Sequence, residues 1–76
     1  MPDKPVTVNL PADEAIVLFE LLSRNAQKSE LQIEGEAERI VLADLLWFLE
    51  RELAAPFDPN YREILAEARR RLGRPR

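Results

Sequence analysis

The sequence predicts a mainly α protein: a three-helix domain with a short N-terminal strand and a candidate second short strand. Three observations carry this. Apolar residues recur at helical spacing over about 12–26, 36–54 and 59–72; polar or proline-bearing segments separate these stretches; and Val6, Val8 and Leu10 alternate with Thr7 and Asn9 ahead of the first. The 76 residues form one small domain, 1–76.

"VTVNL" has the two-residue period of a strand. Pro11 then suits the start of a helix, where its fixed φ and missing N–H cost little. Asp13 and Glu14 follow in the first turn, at the positive end of the helix dipole. On this first helix Ala15, Phe19, Leu22 and Ala26 make the main apolar face, flanked by Ile16 and Leu18, and Glu20 and Arg24 are spaced as an ion pair. Val17 and Leu21 point to the back. "LQIEG", residues 31–35, alternates again and reads as a second strand or as an irregular link; two strands alone need something to cover them.

The second helix contains the densest apolar run, Ile40 to Leu49, with nine apolar residues and one aspartate. Leu42, Leu45, Leu46, Leu49 and Leu53 share one face, with Val41 and Phe48 at its edge. A second stripe, Ile40–Asp44–Trp47–Arg51, lies among charges on the other side. Pro56 ends this helix. Asp58 and Pro59 are suited to N-cap and first helical residue of the third helix. There Tyr61, Ile64, Leu65, Ala68 and Leu72 form one stripe, Glu67 and Arg71 are spaced as a pair, and Gly73 marks the stop.

Composition removes several functions. A chain this short buries barely enough apolar surface to offset its entropy, so small folds lean on disulfides, metals or partners. The chain has no cysteine and no histidine, hence no disulfide, no thiolate site and not the commonest general base or metal ligand. Its two glycines, Gly35 and Gly73, make no phosphate-binding loop. Glu34, Glu36 and Glu38 crowd together but read as a solvated helix start. No catalytic residue, metal site or cofactor is expected, and the chain reads as a non-enzyme. The start lacks a signal-peptide pattern, and the apolar run is far short of a membrane span, which leads us to expect a soluble, cytoplasmic protein.

The net charge of −3 divides unevenly: residues 1–61 carry five basic and twelve acidic side chains, and residues 62–76 six arginines against two glutamates. An acidic body disfavours general nucleic-acid binding. Arg69, Arg70 and Arg71 could contact nucleic acid or acidic lipid, or could complement the end of a helix while remaining in water.

After the first and third helices have covered what they can of the second, apolar surface is left over. Val17 and Leu21 on the first helix, with Ile40, Asp44, Trp47 and Arg51 on the second, are therefore the expected interface residues, Asp44 as a polar anchor paired with Arg51. A rotated helical wheel, or cover by the strands, is the competing explanation.

Two resemblances add to this. "VTVNLP" followed at once by an amphipathic helix resembles the start of a ribbon–helix–helix regulator, which implies a strand paired across a dimer, with Val6, Val8 and Leu10 in the core and Thr7 and Asn9 reading bases. The outward face of that strand has no arginine or lysine, the body is acidic, and a third helix exceeds the minimal fold. "DEAIVLFELLSR", "AERIVLADLLWFLERELAAPF" and "DPNYREILAEARRRL" together resemble a group of small bacterial helical proteins of unassigned function. The preferred expectation is a non-catalytic acidic interaction module, homodimeric or bound to a protein partner, of which an antitoxin or immunity-type inhibitor is the concrete form. A ribbon–helix–helix-like DNA-binding regulator is the alternative.

Overall fold

The computed structural model describes residues 4–29 and 31–73. Among these residues it has three α-helices, α1 Ala12–Lys28, α2 Glu36–Glu52 and α3 Tyr61–Leu72, with one 3-10 turn, Ala55–Phe57, before α3. The three expected helices are thus present. Among the described residues there is no strand, which corrects the expected β segments. Residues 5–10 are irregular and exposed, with Val6 at 89%. A strand is stable only through its ladder partner, and no described segment forms a ladder with this one. Residues 31–35 form an irregular link, although Leu31 and Ile33 are half-buried.

Each helix end has a local cause. The carbonyl of Pro11 accepts the first bond of α1 from the Ala15 N–H at 2.9 Å. At the other end Ser29 adopts the left-handed conformation, φ 53°, and its N–H closes on the Asn25 carbonyl at 2.7 Å. The Asn25 side chain then accepts the Leu31 N–H at 2.6 Å, which turns the chain towards α2. Glu38, in the first turn of α2, reaches back to accept the Glu34 N–H at 2.8 Å, a displaced form of the capping box. Before α3, Pro56 enforces the 3-10 turn. The Asp58 carboxylate accepts the Asn60 N–H at 2.8 Å, so it caps that turn and Asn60, not Asp58, is the N-cap of the helix.

α1 is the central helix and packs on both others. One of its faces, Ala15, Phe19 and Leu22, buries against Leu49 of α2, with Leu42, Leu45, Leu46 and Leu53 around it. The adjacent face, Ile16, buries against Leu65 and Ala68 of α3, with Val17 and Ile64 beside it. Leu53 and Tyr61 border both clusters and join them. Tyr61 meets Phe19 edge-on, with centroids 6.4 Å apart, and its hydroxyl donates to Glu20 Oε1 at 2.8 Å. Arg71 near the end of α3 grips Asp13 at the start of α1 with two bonds, 2.7 and 2.9 Å.

This core is thin. The accessible surface is 6440 Å² for 8.8 kDa, where a compact monomer of that mass exposes about 4,800 Å². The exposed segment 5–10 and the outward side of α2 both contribute to the excess.

Candidate interaction face on α2

At about 100° per residue, α2 divides into two opposed sides. The side carrying Leu42, Leu46, Leu49 and Leu53 faces α1. Opposite it lies a line formed by Asp44 and Arg51, seven residues apart and so within about 20° of the same direction. Ile40 and Trp47 form a ridge along one flank of that line, and Val41 and Phe48 along the other. All four apolar side chains are exposed: Ile40 51%, Val41 63%, Trp47 52% and Phe48 54%.

The aromatic pair organises this face. The Trp47 and Phe48 rings meet edge-on at 5.4 Å between centroids. The Arg51 guanidinium lies over the Trp47 ring, 4.6 Å from its centroid, in a cation–π contact that holds an otherwise mobile side chain in place. Asp44 is exposed and makes no ion pair among the described residues. The face is therefore an apolar surface crossed by one negative and one positive charge, with the positive charge already positioned.

Of the residues expected at an interface, Ile40, Asp44, Trp47 and Arg51 fall together on this face. Val17 is instead half-buried against the Leu65–Ala68 cluster under α3, and Leu21 is half-buried on α1. Val41 and Phe48, expected at the edge of the core, stand outside it and complete the exposed patch. Trp47 also borders a groove lined by Leu22, Ala26, Leu31, Ile33 and Leu46, where the end of α1 approaches α2.

The basic end of α3 is largely committed within the fold. Arg71 is held by Asp13 and lies 3.6 Å from Glu67, and Arg70 pairs with Glu67. The Arg71 bond holds the Asp13 carboxyl below its ordinary range, and the Arg70 bond does the same for Glu67. Arg69 remains exposed, and the last three residues of the tail lie outside the described residues. Of the crowded glutamates, Glu38 binds the Glu34 N–H and Glu36 lies 3.3 Å from Arg39. Among the described residues no cluster of acidic side chains is arranged to hold a metal ion, and no helix is long and apolar enough to cross a membrane.

Comparison with family models, with curated proteins and with solved structures finds no match to this chain.

Proposed function

We propose that this protein is a non-catalytic interaction module whose working surface is the outward side of α2, and that it acts as a homodimer or on a protein partner. The observation that supports this reading is the exposed set Ile40, Val41, Trp47 and Phe48 around Asp44 and Arg51. Monomer stability gives no reason to keep four large apolar side chains on one exposed helix side, and such patches mark contact sites. Trp with a neighbouring Arg is also the composition of binding hot spots. The acidic body suits a basic target, as an antitoxin or immunity-type inhibitor would have, because complementary charge accelerates encounter.

Concentration dependence tests the reading. Association through this face raises the unfolding midpoint with protein concentration. Trp47→Ala removes an anchor worth about 2 kcal/mol of association and should flatten that dependence while leaving most of the dilute-limit stability. Trp47 is the single tryptophan, so its emission reports the same face directly and should shift to the red on dilution. A wild-type midpoint unchanged over a hundredfold dilution, with a large fixed loss in Trp47→Ala, would assign the residue to the monomer core and end this reading.

A further inference from the structure

We infer that the surface covering the α2 face is the α2 face of a second copy, laid antiparallel about a two-fold axis that passes between Trp47 and Phe48. This rests on the reading of α2 as an interaction face and specifies its partner and geometry. The argument starts from the two charges. Asp44 and Arg51 lie on one line down the middle of the face, about 10 Å apart along the helix, with Trp47 and Phe48 at the midpoint between them. A two-fold axis at that midpoint, perpendicular to the helices, brings Asp44 of each copy opposite the partner's Arg51. Because the interface is isologous, the pair forms twice.

The flanking ridges obey the same symmetry. In an antiparallel pair each ridge meets its own counterpart. Trp47 therefore lies beside the partner's Trp47 on one flank and Phe48 beside the partner's Phe48 on the other, each offset by about 1.5 Å along the axis. The aromatic contacts thus occupy the centre, and each charge pair lies about 5 Å outboard of them, shielded from water on its inner side. The parallel alternative sets Asp44 against Asp44 and Arg51 against Arg51, with like charges opposed at both positions, and is disfavoured. A uniformly basic partner would satisfy Asp44 but oppose Arg51. A line bearing both signs calls for a partner bearing both in reverse order, and the chain itself supplies one.

The exposed area sets the strength. Four half-exposed apolar side chains present roughly 400 Å² per copy, about half the surface one side of a standard interface contributes. An area of this size places the dimer among weak, reversible interfaces, so association is sought in the micromolar range.

Sedimentation equilibrium of the full chain across the micromolar range, with helicity checked by circular dichroism, decides the matter. Wild type should pass from monomer to dimer. Asp44→Arg and Arg51→Asp each place like charges face to face and should each weaken dimerisation at least about tenfold. The double variant D44R/R51D reverses both charges and should recover dimerisation to within about threefold of wild type. Recovery in the double variant cannot come from damage to the fold, which would add rather than cancel. A wild-type dimer unmoved by either single change would overturn the antiparallel α2 pairing while leaving the interaction reading intact. A wild-type monomer at every concentration would overturn the pairing and, with an unfolding midpoint independent of dilution, the interaction reading as well.

Discussion

Tyr61 offers the sharpest test of how the two halves of the core are joined. It is the only tyrosine, so its ionisation can be followed by ultraviolet difference absorbance without ambiguity. Burial against α1, followed by the hydrogen bond it donates to Glu20, raises its pKa from the ordinary 10 to about 12. The folded state therefore holds the phenolic proton more tightly than the unfolded chain does. The resulting stability is fully present below about pH 10 and is lost as pH rises through about 12. At 1.36 kcal/mol per unit the full linkage is about 2.7 kcal/mol; Tyr61 is only partly shielded from water, so we discount this to about 1 kcal/mol. Tyr61→Phe removes the donated bond and should cost about 0.5–1.5 kcal/mol at neutral pH. The gap between wild type and variant, measured by urea unfolding, should then close as pH approaches 12, because only wild type has a phenol to lose. Titration near pH 10 in the native protein, or a gap that stays constant with pH, would refute the placement of Tyr61 against Phe19 and Glu20 of α1.

The core and the ion pairs yield two further expectations. Leu49→Ala, which empties the buried contact between α1 and α2, should cost about 2–4 kcal/mol, and the half-buried Leu46 about half as much on truncation, both by chemical denaturation. Arg71 depresses the Asp13 carboxyl, so this contribution to stability is present above about pH 4 and disappears as pH falls through the lower folded value; Asp13→Asn should flatten that part of the acid profile.

The helices were legible because their punctuation is local. Pro11, the glutamates after Gly35 and the proline-rich link before Tyr61 act within a turn of where they stand, and the observed boundaries fall within about two residues of those expected. Asp58 differs from its expected role as helix N-cap for a related reason. Its carboxylate is a good cap in either setting, and only the 3-10 turn made by Pro56 decides that it closes a turn ahead of the helix. The alternation in "VTVNL" describes one strand's side chains and says nothing of whether a partner lies beside it. The grip of Arg71 on Asp13 joins residues 58 apart, beyond any periodicity. On α2 the broad apolar content blurred the wheel, so that Phe48 and Val41 were assigned to the core edge; the direction of α1, unknown from sequence, fixes which leucines are inside.

The central position of α1 has a consequence for how the molecule opens. Both clusters use this one helix, on adjacent faces, so its amides gain protection from two sides and exchange with solvent only when most of the fold is lost. α2 has a single buried residue, Leu49, close to its C-terminal end. Its first turn, ahead of Leu42, carries no side chain packed on the α1 cluster and can fray without disturbing α1 or α3. The protein is therefore expected to breathe unevenly, with a rigid spine along α1 and a mobile edge at the start of α2.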